Sequence, residues 1–202
     1  MDPIEKATII HFHRSRIETF GGGTVEALGW RIPESQTKRF DVLAQVGDLS
    51  GRSVLDVGCG YGDLRNYLDQ RFSDFVYIGI DQMPEFILEA EERHKDRADT
   101  HFFKTDFSTV KLPIVDYVLA SGALAYRSDD PNFHSNMVQK MYESATRALA
   151  FNMLDEDRFP EHPLLTGHNL DEVVRQCQDL CPNVQVIQGY LEDDFTVFLR
   201  RD

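Results

Sequence analysis

Ser53-Val54-Leu55-Asp56-Val57-Gly58-Cys59-Gly60-Tyr61-Gly62 is followed further along the chain by Ile78-Gly79-Ile80-Asp81. In the first segment a short apolar strand leads into three alternating glycines, and in the second a similar strand ends in a carboxylate. Glycines at a turn from strand to helix let the backbone approach a ligand closely, because no Cβ atom intervenes. An acidic residue about 20 positions after such a turn is placed to bind ribose hydroxyls. The two segments together predict a binding site for a cofactor that contains a nucleoside.

The charge of the chain limits the class of its partner. Its 202 residues carry a net charge of −13, whereas proteins that bind nucleic acids neutralise phosphates with clusters of Lys and Arg. The sequence has no apolar run of the roughly 20 residues that a transmembrane helix needs, and its charged N-terminus is unlike a secretory signal. We therefore expect a cytoplasmic protein that acts on a small molecule, not on nucleic acid or at a membrane, as a monomer or a homodimer.

The three cysteines indicate neither a disulfide framework nor a metal site. Their number is small and odd, which favours a reducing compartment. Cys177 and Cys181 are four residues apart and are expected in the core on one face of a helix, whereas Cys59 is interpreted as a small filler inside the glycine turn. Since no paired ligands stand at zinc spacing, no metal is expected.

The spacing of apolar residues predicts helices that alternate with strands. The helices are expected at 4–20, 34–46, 61–72, 84–95, 131–147 and 170–180, and the strands at 52–57, 75–80, 100–104, 115–120, 148–153, 184–188 and 195–200. This alternation favours a mostly parallel sheet with helices on both faces. Residues 189–194 are too few for a parallel crossover, so the last two strands are expected to pair as an antiparallel hairpin or to lie in different sheets.

Two acidic residues near the glycines distinguish between nucleoside cofactors. The dinucleotide fingerprint G-x-G-x-x-G/A requires a small residue at position 63, where this chain has Asp63, a charge of the wrong sign to face a pyrophosphate. Asp56 stands two residues before the first glycine and suits a ligand with an ammonium group, such as S-adenosylmethionine. The pattern Asp-x-Gly-x-Gly-x-Gly, together with the terminal hairpin, resembles the class I S-adenosylmethionine-dependent methyltransferases over roughly residues 35–202.

This resemblance implies a fold and a division of the chain. The expected class is α/β: a Rossmann-like, doubly wound, seven-stranded sheet, mostly parallel with a C-terminal antiparallel hairpin, plus N-terminal helices as a lid. Residues 1–202 would form a single domain, with 34–202 as the cofactor-binding core and 1–33 as an N-terminal helix and candidate substrate lid. Gly21-Gly22-Gly23 would give this lid a flexible hinge, and the segment also carries Trp30, the only tryptophan of the sequence. An ordinary connection between helices is the alternative interpretation.

The resemblance also implies which residues hold the cofactor. The glycines would pass under the methionine and ribose, Asp56 would meet the ammonium group, and Asp81 would bind the ribose hydroxyls. Asp106 and Phe107 resemble the acidic and apolar pair that holds the adenine, although an Asp after a strand is also common in turns. The complete predicted set is Asp56, Gly58, Cys59, Gly60, Gly62, Asp81, Gln82, Met83, Asp106, Phe107, Ala120 and Ser121.

Catalytic residues are less clearly indicated than cofactor residues. Methyl transfer from a sulfonium needs mainly proximity and alignment, and it needs a general base only where the acceptor atom must lose a proton. Lone histidines are more often packed or solvated than catalytic, so the catalytic role is left unassigned. The candidates on segments expected to overhang the cofactor are His11, His13, Tyr126, His162 and His168, and Arg14 or Arg16 could reach the cofactor carboxylate.

The segment after the fourth strand separates some subfamilies of this resemblance. It reads Ala120-Ser121-Gly122-Ala123 and lacks the Asp/Asn-Pro-Pro-Tyr/Phe motif, which argues against methylation of adenine, cytosine or glutamine amino groups. The acceptor atom stays open as N, O, S or C. Two alternatives also stay open: a non-catalytic S-adenosylmethionine-binding module, and another enzyme that uses the same site. An aminopropyltransferase is an example of the latter, although it would usually need a further acid in place of Ser121.

Overall fold

The central sheet aligns the carboxyl ends of its parallel strands along one edge. A computed structural model describes residues 1–30 and 32–201 of the chain. The strands are β1 (Ser53–Val57), β2 (Val76–Asp81), β3 (Thr100–Lys104), β4 (Val115–Ala120), β5 (Ala145–Asp155), β6 (Gly167–His168), β7 (Val184–Gln188) and β8 (Asp194–Arg200). Their order is β3-β2-β1-β4-β5-β8-β7, with β6 paired to β5 outside this path. The order reverses between β1 and β4, where open α/β sheets bind ligands.

The C-terminal strands have the antiparallel arrangement that the short connection predicts. Strands β1 to β5 pair only in parallel with one another. Strand β8 inserts between β5 and β7 and is antiparallel to both. The expected mostly parallel sheet with a C-terminal antiparallel hairpin is therefore confirmed.

Helices cover both faces of this sheet. They are α1 (Pro3–Phe20), α2 (Pro33–Leu43), α3 (Asp63–Leu68), α4 (Pro84–Arg93), α5 (Phe133–Ser144) and α6 (Leu170–Leu180). Alternate residues of β1 face opposite sides: Leu55 packs in a cluster with residues of α5 and α6, whereas Val54 packs with residues of α2, α3 and α4. Burial on both faces explains why the central strands β1 and β4 are mostly apolar, whereas the edge strand β3 contains exposed polar residues. Among the described residues, no helix is long and apolar enough to cross a membrane.

The structure differs from the expected elements in several places, among them the ends of α2 and α3 at Leu43 and Leu68, where the expected helices extend to 46 and 72. Helix α3 begins at Asp63 and not at 61, because Gly62 adopts a left-handed conformation with φ 75°. Helix α5 ends at Ser144, and β5 already begins at Ala145. The side chain of Arg201 stabilises this change from helix to strand, because it donates to the carbonyl oxygens of Tyr142 and Ala145 at the end of α5. The two-residue strand β6 adds an eighth strand to the seven that were expected.

A substitution of Gly79 on β2 tests how closely the side chains pack beneath the glycine turn. A Cβ atom at this position would lie 2.6 Å from Cδ1 of Phe102 and 2.9 Å from Sγ of Cys59. We expect Gly79→Ala to lower the free energy of unfolding by about 1–3 kcal/mol through overpacking, measured by urea denaturation. Gly22→Ala is the matched control, because a Cβ there meets no atom of the described residues within 4 Å. It should change stability by less than about 0.5 kcal/mol. Equal stability of both variants would contradict this packing.

Candidate functional site

A cavity of about 690 Å³ lies at the carboxyl ends of β1, β2, β4 and β5, where the strand order reverses. Most of the residues predicted to hold the cofactor line this cavity: Asp56, Gly58, Cys59, Gly60, Asp81, Gln82, Met83, Asp106, Phe107 and Ser121. Two predicted residues are absent from the lining. A Cβ atom on Gly62 would lie within 3.0 Å of Phe102 and His94, so this glycine allows packing beneath the turn. Ala120 is fully buried in β4.

The glycine turn leaves the backbone close to its neighbours on both sides. The amides of Gly58 and Cys59 donate to the carbonyl oxygen of Ile80, at 2.8 and 3.0 Å, which ties the turn to β2. Gly60 has φ 55°, and a Cβ atom on it would lie 2.7 Å from Cδ2 of Leu28. The turn therefore needs glycine both for its conformation and for the close approach of another group.

Asp81 is held rigidly at the end of β2. Its Oδ2 accepts the amide hydrogen of Gly60 at 3.1 Å, and its Oδ1 accepts that of Met83 at 2.9 Å. Burial raises the pKa of Asp81 to about 6, against the lowering effect of these backbone hydrogen bonds. Each carboxylate oxygen can accept more than one hydrogen bond. The side chain is therefore oriented to receive two further donors, as the paired hydroxyls of a ribose would supply.

Asp56 carries a buried oxygen without a hydrogen-bond partner. The hydroxyl of Tyr77 donates to Oδ2, whereas Oδ1 has no partner among the described residues. Burial, with smaller contributions from the charges of Asp81 and Asp63, raises the pKa of Asp56 to about 7 against the lowering effect of the hydrogen bond from Tyr77. An isolated buried carboxylate is unfavourable unless it is paired. This orphaned oxygen fits the ammonium group that the sequence predicted opposite Asp56.

Asp106 is in contact with the N-terminal helix. Lys6 of α1 forms an ion pair with it at 2.6 Å, and the amide of Ser108 donates to its other oxygen at 2.9 Å. Burial acts to raise the pKa of Asp106, but Lys6 and Ser108 outweigh this effect and the pKa is lowered. The neighbouring Phe107 lines the cavity. The predicted adenine pair therefore lies at the cavity, and Asp106 already has a cationic partner there.

His13 and Tyr126 come together from distant parts of the sequence. Nδ1 of His13 lies 3.1 Å from the carbonyl oxygen of Ala27, and Nε2 lies 2.5 Å from the hydroxyl of Tyr126. Since a carbonyl only accepts, Nδ1 carries the hydrogen and the Tyr126 hydroxyl donates to Nε2. Burial lowers the pKa of His13 to about 4, which keeps the imidazole neutral near pH 7. Both side chains line the cavity.

The other candidate polar residues are divided between the cavity and the rest of the surface. His162 and Arg16 line the cavity. His11 is exposed on α1, and Arg14 forms an ion pair with Glu85 at 2.7 Å. His168 lies beside His134, with ring centroids 4.3 Å apart, in a separate smaller pocket.

Residues 21–30, which follow α1, lie against the ends of the β-strands. A Cβ atom on Gly122 would lie 2.6 Å from Cη2 of Trp30, and the guanidinium of Arg39 stacks over the same indole at 4.6 Å. Arg93 of α4 donates to the carbonyl oxygen of Gly23 at 2.6 Å and pairs with Asp63 at 3.0 Å. The glycine-rich connection is therefore fastened to the element that follows β2.

Sequence reasoning did not single out Asn152. This residue is buried at the end of β5, lines the cavity, and has a side-chain nitrogen without a partner among the described residues. The signal was an amide within the run Leu149-Ala150-Phe151-Asn152-Met153-Leu154, which is otherwise apolar. A polar residue in a buried strand needs a partner, and this requirement marks it for attention.

The reversed strand order, the glycine turn and the carboxylate at the end of β2 together define a class I methyltransferase fold. Residues 54–149, a little under half of the chain, match the family described as "Methyltransferase domain". Magnesium protoporphyrin IX methyltransferase from Synechocystis, in a structure with bound S-adenosylmethionine, is similar with a TM-score of 0.72 at 18% identity. That similarity covers 100% of this chain and 98% of the other.

Curated relatives show the same similarity in sequence. The trans-aconitate 2-methyltransferase of Mycobacterium ulcerans is 33% identical over 86 residues, which are 42% of this chain and 31% of that protein. A Mycobacterium tuberculosis protein named as a methyltransferase is 36% identical over 107 residues, which are 50% of this chain and 63% of that protein. The chain thus spans about a third to two thirds of the length of these relatives. The sequence match over residues 54–149 and the structural similarity over the whole chain agree on a methyltransferase fold.

Proposed function

We propose that the protein is a methyltransferase that transfers the methyl group of S-adenosylmethionine to a small-molecule acceptor. The observation that carries this proposal is the pair of carboxylates at one cavity, of which Asp56 is buried and Asp81 partly buried. Asp81 is oriented by two backbone amides, and Asp56 has an oxygen without a partner among the described residues. These groups match the ribose hydroxyls and the ammonium group of S-adenosylmethionine in number and in charge.

Each residue at the cavity would then have a separate role in binding. Asp81 would accept from the ribose, Asp56 would pair with the ammonium group, and Gly58 and Gly60 would allow the backbone to pass beneath the ligand. Asp106 and Phe107 would hold the adenine, which requires Asp106 to exchange or share its contact with Lys6. The bound cofactor supplies an activated methyl group on a positive sulfur. The protein would supply alignment and exclusion of water.

His13 and Tyr126 would matter where the acceptor atom must lose a proton. Nε2 of His13 already accepts the hydroxyl hydrogen of Tyr126. The imidazole could therefore take up a proton from the acceptor as Tyr126 passes its own hydrogen to Nε2 and receives the acceptor's proton in turn. An acceptor atom without a proton would use the same pair only for orientation.

The proposal also covers the class of acceptor, the cellular location, the oligomeric state and the role of the N-terminal segment. Relatives named for trans-aconitate support a small-molecule acceptor, and the net charge of −13 is unfavourable for nucleic acid. We propose a cytoplasmic location and a monomer or homodimer. The segment 1–33 would act as the lid over the acceptor, because Leu28 and Trp30 already lie against Gly60 and Gly122.

Release of S-adenosylhomocysteine tests the proposed reaction. The protein would be incubated with S-adenosylmethionine and a panel of carboxylic acids, phenols and amines that includes trans-aconitate. We expect acceptor-dependent release with at least one class of compound. The Tyr126→Phe variant should slow turnover of acceptors that lose a proton more than turnover of carboxylates. Binding of the cofactor without release on any compound would favour the non-catalytic module instead.

The pH dependence of cofactor affinity tests the role of Asp56. Without ligand its pKa is about 7, and an adjacent ammonium group would lower that pKa, so binding releases a proton. Affinity for S-adenosylmethionine should therefore rise with pH up to about 7, by up to about tenfold per unit, and level off above it.

Asp56→Asn is the comparison variant for this measurement. It should bind more weakly at pH 8 and show a much flatter profile between pH 6.5 and 8, where the titration of Asp81 at about 6 contributes little. Calorimetry at several pH values would give both profiles. The same pH profile in both proteins would contradict an ionic role for Asp56.

A further inference from the structure

Asn152 presents a hydrogen-bond donor whose direction is fixed by the fold. Its Oδ1 accepts the amide hydrogen of Gly122 at 2.8 Å. Because only the oxygen of the amide can accept, the orientation of the side chain is settled and Nδ2 points away from Gly122. Nδ2 is buried and has no hydrogen-bond partner among the described residues. A buried donor in this state is unfavourable unless another molecule accepts from it.

The position of Asn152 in the sheet separates it from the proposed cofactor residues. In the sheet register Asp56 of β1 pairs with Leu119 of β4, which pairs with Ala150 of β5. Asn152 stands two residues beyond Ala150, towards the carboxyl end of β5. Adjacent strands are about 4.8 Å apart, so β5 lies about 10 Å from β1. Asp81 and Asp106 lie on the opposite side of β1, after β2 and β3. Asn152 is therefore beyond the methionine end of the proposed cofactor, where the acceptor would lie.

Asn152 Nδ2 and Ser121 Oγ are both buried atoms of the cavity wall without a partner among the described residues, and of the two only Nδ2 is restricted to donating. Trp30 lies against Gly122 and lines the cavity with its apolar indole. Arg39 stacks on Trp30 and is paired with Asp194, with the two side chains 8% and 1% exposed. Asp194 neutralises the charge of Arg39. This part of the wall therefore presents the indole of Trp30 and the N–H of Asn152, which has no hydrogen-bond partner among the described residues.

We propose that Asn152 determines acceptor specificity by donating from Nδ2 to an oxygen of the methyl acceptor. This inference rests on the proposed function. The acceptor would be a planar molecule that packs on Trp30 and carries a carbonyl or carboxylate oxygen near the atom that is methylated. An acceptor that offers only donors at this place would leave Nδ2 unpaired and would bind more weakly.

Ring compounds of similar size provide the test. Benzamide offers a neutral carbonyl and benzoate a carboxylate, whereas toluene has no acceptor and benzylamine only donors. Binding would be followed by quenching of Trp30, the single tryptophan of the chain, with and without saturating S-adenosylhomocysteine. We expect benzamide, benzoate or both to bind about three- to tenfold more tightly than toluene and benzylamine. Tighter binding of benzamide would identify a carbonyl as the source of the oxygen, and tighter binding of benzoate would identify a carboxylate.

Variants of Asn152 connect the preference to this side chain. Asn152→Leu removes the donor and should reduce the preference over toluene to about one, with the affinity for toluene unchanged. Asn152→Asp, measured at pH 9, retains an oxygen for Gly122 but lacks the donor and should show the same loss. Asn136→Asp makes the same chemical change at an exposed position on α5 and should retain the preference.

The outcomes separate this inference from the proposed function. Loss of the preference in both Asn152 variants, with normal affinity for S-adenosylhomocysteine, supports the assignment. A wild-type protein without the preference, or variants that retain it, would overturn it. Absence of S-adenosylhomocysteine binding would overturn the proposed function, while the preference for an oxygen acceptor could still be read in the ligand-free protein.

Discussion

The carboxylate of Asp81 joins the two chain segments on which the site depends. It accepts the amide hydrogen of Gly60 from the turn after β1 and that of Met83 from the start of α4. One side chain thus fixes the end of β2 relative to the glycine turn, and Ile80 reinforces this by accepting from Gly58 and Cys59. Because these contacts join the turn, β2 and α4 within the protein itself, the cavity has a defined floor before any ligand is present. The rest of the site is arranged around that floor.

Burial of several acidic groups gives the cavity its electrostatic character. Asp56 and Asp81 have raised pKa values because they are removed from water, and the charge of Asp81 adds to the rise in the pKa of Asp56. Asp106 instead has Lys6 beside it and a lowered pKa. A ligand with a cationic end and hydroxyl groups in its middle would stabilise the ionised carboxylates of Asp56 and Asp81. This balance is the physical reason why a sulfonium cofactor with an ammonium group suits the site better than a pyrophosphate.

The parts of the fold that depend on local sequence were predictable. The glycine turn, the carboxylate after β2 and the hairpin of β7 and β8 each follow from a short segment, and the sheet has this arrangement. Contacts between distant segments were not predictable. The pairing of His13 with Tyr126, of Lys6 with Asp106, and of Arg201 with the end of α5 depends on how the chain returns to itself. Residues 1–30 contribute much of the cavity wall, yet their apolar pattern does not specify which strand ends they meet.

Calorimetry of cofactor binding tests the central claim most directly. Purified protein would be titrated with S-adenosylmethionine, S-adenosylhomocysteine and NAD, in parallel with the Asp81→Ala variant. The account predicts binding of both sulfur compounds and not of NAD, with an affinity about 100-fold weaker in the variant, because a charged acceptor for two hydroxyls is removed. Binding of NAD without either sulfur compound, or unchanged affinity in Asp81→Ala, would contradict it.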